Sequence, residues 1–186
     1  MLTRACVLFL LSLSFVHAAA DDYDDTIKVF RDAGQSGAFF AKSYGYAVFP
    51  TIGKGGLVVG GAHGSGRVYE KGTYVGDSSM TQVSVGAQLG GEAYSEIIFF
   101  EDKRAFDEFA SGKFEFSAQA QAVAITAGAS ASTGTSGSTA GASGTKNTAT
   151  TAGAYYKGMA IFSVAKGGLM YEASVAGQKF SYKKKA

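Results

Sequence analysis

A strand–turn–strand pattern occurs twice in this chain and restricts its fold more tightly than any other feature. Ala47-Val48-Phe49 precedes Lys54-Gly55-Gly56-Leu57, and Ala160-Ile161-Phe162 precedes Lys166-Gly167-Gly168-Leu169, with one residue fewer before the second lysine. Each copy reads as an apolar strand, a glycine turn and a second strand. Paired glycines reach backbone angles closed to residues with a Cβ, and they leave N–H groups open on a concave turn. A lysine beside such a turn can hold an anion, because the amide dipoles and the ammonium charge act in the same direction. A structural turn with a solvated lysine is the competing reading of either copy. The duplication favours a binding module over an enzyme. If the two units are neighbours in one sheet, their turns could converge on a single anion.

From Tyr46 onward the hydrophobic period is two. Thr81, Val83, Val85, Ala87 and Leu89 alternate with Gln82, Ser84, Gly86, Gln88 and Gly90, as in a half-exposed strand. Ile97-Ile98-Phe99-Phe100 reads as a buried strand. Asp102 then caps a short helix that turns Ala105, Phe106 and Phe109 inward and stops at Gly112. Alternation resumes over Phe114–Gln121, and the last strands are Gly158–Val164, Leu169–Val175 and Lys179–Tyr182, with Ala176-Gly177 as a turn. His63 lies in Gly60-Gly61-Ala62-His63-Gly64-Ser65-Gly66, which reads as a strand end or turn.

Ahead of the strands, Asp25 is placed to cap a helix running toward Tyr44, with Gly45 as its stop. Lys28, Arg31, Asp32, Gln35 and Lys42 share one face of it. Ile27, Phe30, Gly34, Gly37, Ala38 and Ala41 share the other, and Phe39 breaks the pattern. Gly34 and Gly37 each cost about 1 kcal/mol relative to alanine, which favours a break or close packing there. The apolar stripe covers a sheet or lies on a membrane. The fold class is mostly β (α+β): an antiparallel β-sandwich or partly closed barrel with an N-terminal helix and one short internal helix.

Residues 1–20 read as a signal peptide, with Arg4 as the positive region, Ala5–Val16 as the apolar run and small residues at Ala18 and Ala20. The single cysteine, Cys6, lies inside that segment. Cleavage therefore leaves a domain over residues 21–186 with no disulfide, thiolate metal site or cysteine nucleophile. Export implies the periplasm or a peripheral position on the outer membrane. The formal net charge of +2 points to no particular partner. Asp21, Asp22, Asp24 and Asp25 make the start of the domain acidic, while Lys179 and Lys183-Lys184-Lys185 make its end basic. Residues 128–153 are almost wholly Gly, Ala, Ser and Thr, a flexible surface excursion that lacks core-forming side chains.

Several chemistries are excluded. With His17 in the leader, His63 stands alone, so a multi-histidine zinc site cannot form and a Ser-His-Asp triad would have to use His63. There is no G-x-S-x-G elbow and no G-x-x-x-x-G-K-[ST] loop. Glu70, Asp77, Glu92 and Glu96 could in principle form a carboxylate pair, but nothing in the sequence fixes their separation. No cofactor or metal is implied. Nucleic acid is not an expected partner, because no basic domain or aromatic-basic motif is present.

Read together, Gly45-Tyr46-Ala47-Val48-Phe49-Pro50, Gly53-Lys54-Gly55-Gly56-Leu57 and Gly60-Gly61 resemble the opening of the SYLF domain. The resemblance continues through Val85-Gly86-Ala87-Gln88-Leu89-Gly90-Gly91, Ile97–Phe100 with Ala105-Phe106-Asp107-Glu108-Phe109, and Lys166-Gly167-Gly168-Leu169. Eukaryotic members of that family bind phosphoinositide-containing membranes, and fungal ones also bind actin filaments. The resemblance implies a lipid-binding domain without catalytic residues, here of the exported, single-domain bacterial type. An exported protein would not meet cytoskeletal actin, and an anionic phospholipid headgroup is what a bacterial envelope offers in place of a phosphoinositide.

The leading expectation is a non-enzymatic envelope module that binds anionic phospholipid headgroups at a membrane surface. The residues expected to carry it are Lys54, Gly55, Gly56, Lys166, Gly167 and Gly168, with Lys28, Arg31 and Lys42 approaching the surface. The alternative is a structural or protein-interaction module of the envelope, with an envelope protein as partner and no lipid specificity. An outer-membrane barrel is disfavoured, because Leu57-Val58-Val59 and Ile97–Phe100 are apolar on both faces and the chain ends in lysines.

Overall fold

The computed structural model describes residues 22–56, 59–85, 91–117, 120, 122–125, 155–166 and 175–186. The leader, the 128–153 excursion, Gly167 and Gly168, and most of the expected 169–175 strand lie outside these residues. In chain order the elements are α1 (residues 22–32), α2 (Gly34–Gly37), β1 (Gly45–Gly56), β2 (Val59–Glu70), β3 (Thr73–Val85), β4 (Glu92–Phe100), α3 (Lys103–Ala110), β5 (Val123–Ile125), β6 (Met159–Lys166) and β7 (Lys179–Lys184).

The domain is β-rich with few short helices, as expected. Its strands form one seven-stranded sheet in the order β5-β6-β4-β1-β2-β3-β7. Every pairing is antiparallel except β5 with β6, which is parallel, so the sheet is mixed. Among the described residues it is one unclosed sheet rather than a two-sheet sandwich, and it curls, nearer to the partly closed alternative. Phe49 of β1 and Phe180 of β7 have ring centroids 5.6 Å apart, although β2 and β3 lie between their strands. A flat sheet would hold those strands about 14 Å apart.

Glycine makes the curl. Along β2 the burial alternates strictly, with Gly61, His63 and Ser65 exposed and Ala62, Gly64 and Gly66 buried. A Cβ on Gly64 would stand 2.6 Å from Ile52 Cγ1, and one on Gly66 would stand 2.5 Å from Phe49 Cδ1 and Cε1. The β1 side chains thus lie over bare backbone where the sheet bends. The stretch around His63 is therefore the middle of a strand rather than a turn, and its glycines serve packing rather than reversal. The reversal comes later, at Lys71-Gly72, whose φ values of 49° and 82° fit a two-residue hairpin.

Two apolar cores lie back to back. On the concave face, Ala47, Phe49, Ile52, Val68, Met80, Ile98 and Phe100 pack with Phe106 and Phe109 of α3 and with Phe116 and Phe180. Asp102 caps α3 as expected, its Oδ1 accepting from the Ala105 amide at 2.8 Å. Gly112, with φ 71°, follows it. On the convex face, Tyr46, Val48, Ile97, Phe99 and Phe162 pack under Ile27 and Phe30 of α1 and under Phe39.

The N-terminal helix differs from expectation at its start and breaks where its glycines favour a break. Residue 22 is already helical, so Asp25 lies inside α1 instead of capping it. The helix also breaks at Ala33, where the backbone is extended, so α2 and the following turns can carry Phe39 into the core. Segment 114–116 is likewise no full strand. Among the described residues it makes one bridge, Glu115 to Lys179, and lies along β7 through amide bonds from Phe116 to Gln178 O and from Phe180 to Phe114 O.

Candidate functional site

β1 and β6 bring Lys54 and Lys166 to the same end of the sheet but turn them to opposite faces. Lys54 lies opposite Ala62 and Glu92, and Ala62 belongs to the concave core. Lys166 lies opposite Ala93 and two residues past Val164 of the convex core. Strand alternation therefore separates the two ammonium groups, so Lys54 and Lys166 do not converge on one anion. Lys166 instead donates to Thr51 Oγ1 at 2.8 Å, with Asp22 Oδ1 at 4.0 Å. Gly55 and Gly56 end β1, and Gly56 has φ 146°.

The register exposes a feature that sequence spacing did not reveal. Lys166, Ala93, Gly53, His63, Thr81 and Lys179 form one row across six strands on the convex face. All except half-buried Ala93 are exposed. The next row carries Thr51, Ser65, Ser79 and Ser181, the last two joined Oγ to Oγ at 2.6 Å. Beyond the first row toward the sheet end lies Val83, with 76% of its surface exposed. The helical layer covers the other part of this face, and its Lys28, Arg31 and Lys42 are exposed. Lys28 pairs with Asp32 at 2.7 Å, and the Arg31 guanidinium lies 4.9 Å from the Phe40 ring centroid. Of the expected site residues, Lys28, Arg31, Lys42 and Lys166 share the convex side, whereas Lys54 does not. His63, Lys179 and Val83 join them. Period-two alternation of His63 with Ala62 and Gly64 was the available signal.

The four carboxylates singled out in the sequence do not pair with one another. Glu70 accepts from Tyr44, Asp77 accepts from the Tyr74 hydroxyl at 2.6 Å, and Glu92 lies opposite Lys54. Glu96 is fully buried on the concave face, where it accepts from Gln178 Nε2 at 3.1 Å. Burial pushes its carboxyl up to about 7, against the smaller opposing effect of that hydrogen bond. Among the described residues no three His, Cys, Asp or Glu side chains gather as a metal site, and no helix is long and apolar enough to cross a membrane.

Comparison with known proteins identifies the family of the chain. The family described as Ysc84, Las17-binding protein actin regulator, matches residues 81–186, more than half of the chain. The chain is also similar to the "Beta cell expansion factor A" of Aeromonas veronii, at 30% identity over 158 residues. That match covers 83% of this chain and 51% of the relative, so the chain spans about half the length of that curated protein. The family is described by binding and regulation rather than by a reaction. With the matched region running from β3 to the end of β7, the chain belongs to the Ysc84, or SYLF, domain family.

Proposed function

We propose that this domain is a non-enzymatic lipid-binding module of the cell envelope, exported to the periplasm or held peripherally on the outer membrane. Its ligand is a surface of anionic phospholipid headgroups, met by the uncovered convex side of the sheet. The observation that carries this reading is the exposed row from Lys166 to Lys179 with His63 between them. Five interstrand steps separate the two lysines, roughly 20–25 Å along the sheet. No single phosphate reaches both ends of such a row, whereas a surface of many headgroups offers a partner to each part of it. Lys28, Arg31 and Lys42 extend the contact from the helical layer, and Val83 offers an apolar side chain beside it. Lys54 contributes only from the rim, since it faces the other side.

Flotation of residues 21–186 with liposomes tests the reading. Binding is expected to vesicles containing phosphatidylglycerol and not to pure phosphatidylcholine. It should fall steeply with added salt, because each near-surface Lys or Arg contributes about 1 kcal/mol. Equal retention by neutral and anionic vesicles, or by neither, would contradict it. Absence of lipid binding together with capture of one defined envelope protein would favour the protein-interaction reading, which has support in a family description that names a protein partner.

A further inference from the structure

Four polar side chains meet inside the concave core, an unusual place for them. Glu96 and Tyr94 project from β4, Ser163 projects from β6 directly opposite Glu96, and Gln178 comes from the turn that leads into β7. Gln178 Nε2 donates to Glu96 Oε2 at 3.1 Å and to the Tyr94 hydroxyl at 3.2 Å. Glu96 and Gln178 have no exposed surface, and Ser163 has 1%. Among the described residues, Glu96 Oε1, Gln178 Oε1 and Ser163 Oγ make no hydrogen bond. Orphaned buried polar atoms of this kind are costly.

A proton on Glu96 repairs the set. The Ser163 hydroxyl is one donor for the two orphaned oxygens of Glu96 and Gln178; a neutral carboxyl adds a second O–H, whereas a carboxylate only adds acceptor demand. The surroundings give the charge little help. Phe49 lies opposite Glu96 from β1, Ser163 from β6 and Gln178 from the β7 side, and Tyr94 is its neighbour on β4. Lys54, the concave-face cation at this end, lies opposite Glu92, four residues away along β4.

The two partners also differ in freedom to move. β4 is held between β1 and β6 in the middle of the sheet, while β7 is its last strand, bordered on the outer side by the short segment 114–116. Gln178 sits on its leading turn, with Gly177 at φ 74°. We propose that Glu96 and Gln178 form a proton-controlled latch that fastens this turn across the concave face, closed when the Glu96 carboxyl is neutral and loosened when it ionises. Opening hydrates the carboxylate and lifts Gln178, Phe116 and the start of β7 away from β4, leaving β1 and β4 in place. The domain then exposes part of its aromatic core on the side opposite the convex row.

Amide hydrogen exchange of the whole domain, at pH 5 to 8 and corrected for intrinsic rates, tests the latch. The reporters are the amides of Phe116, Gly177, Gln178 and Phe180, which donate to Gln178 O, Phe116 O, Val175 O and Phe114 O respectively. Their protection should fall as pH rises, by up to about tenfold per unit between 5 and 7, and then level off. Their urea dependence should be much smaller than that of Val48 and Ile97, as expected of local opening. Glu96→Gln should abolish the pH dependence at these four amides, and Glu96→Leu should do the same if the amide variant folds poorly. The proposal is overturned if wild-type protection at these sites does not change with pH. It is equally overturned if the four amides open with the urea slope of Val48 and Ile97.

Discussion

Phe180→Ala is expected to remove about 3–5 kcal/mol of stability, the usual cost of truncating a buried phenylalanine. Phe180 is 3% exposed and lies at the centre of an aromatic cluster. Its ring centroid is 5.1 Å from Phe109, 5.4 Å from Phe116, 5.6 Å from Phe49 and 6.2 Å from Phe114. These partners come from α3, from the segment beside β7 and from the far side of the curl. Collapse cannot refill the space cheaply, because Gly64 and Gly66 of β2 have no side chains to offer. For a domain of this size the loss corresponds to roughly 10 °C or more in melting temperature. Urea denaturation checks it. A loss near 1 kcal/mol would show that β7 is not needed to complete the concave core.

The second large effect is in pH. A buried carboxyl raised from about 4.5 to about 7 keeps its proton in the folded state after the unfolded chain has lost it. Between those values the folded state binds more protons, so stability falls as pH rises through the window and levels off above about 7. The shift corresponds to at most about 3 kcal/mol between pH 4.5 and 8. Denaturation at pH 5 and pH 8 should show the wild type weaker at the higher pH, and Glu96→Gln should remove most of the difference. A wild type whose stability rises from pH 5 to 8 would contradict this environment for Glu96.

Strong local signals survived the comparison of sequence with structure, and long-range geometry did not. Ile97–Phe100 and the Asp102-capped helix were legible because burial on both faces and a capping side chain are local properties. The turn at Ala176-Gly177 was legible for the same reason. The curl was not, because it depends on Gly64 and Gly66 lying under Ile52 and Phe49, which are distant in sequence. A run of glycines reads locally as a turn whether its function is reversal or packing. The separation of Lys54 from Lys166 was hidden by an irregularity in β1 between Val48 and Thr51, which resets the alternation of that strand. The row of His63, Thr81 and Lys179 required register, and no pattern within one strand supplies it. The buried Glu96 was hidden by its composition. A glutamate beside Ile97 carries no local sign of burial, whereas pairing of β4 on both sides places it inside.

The most direct measurement is comparative flotation with anionic vesicles, using two double variants that remove the same charge. Lys166→Gln with Lys179→Gln takes both ends from the convex row, while Lys103→Gln with Lys113→Gln takes two exposed lysines in and just after α3, which packs on the opposite face. Exposed substitutions of this kind usually change stability within about 0.5 kcal/mol, so both proteins should remain folded. The convex pair should weaken vesicle binding about tenfold or more, at about 1 kcal/mol per lysine. The α3 pair should leave binding within about twofold of the parent. Equal losses from the two pairs would mean that net charge, and not the exposed face of the sheet, holds the domain to lipid.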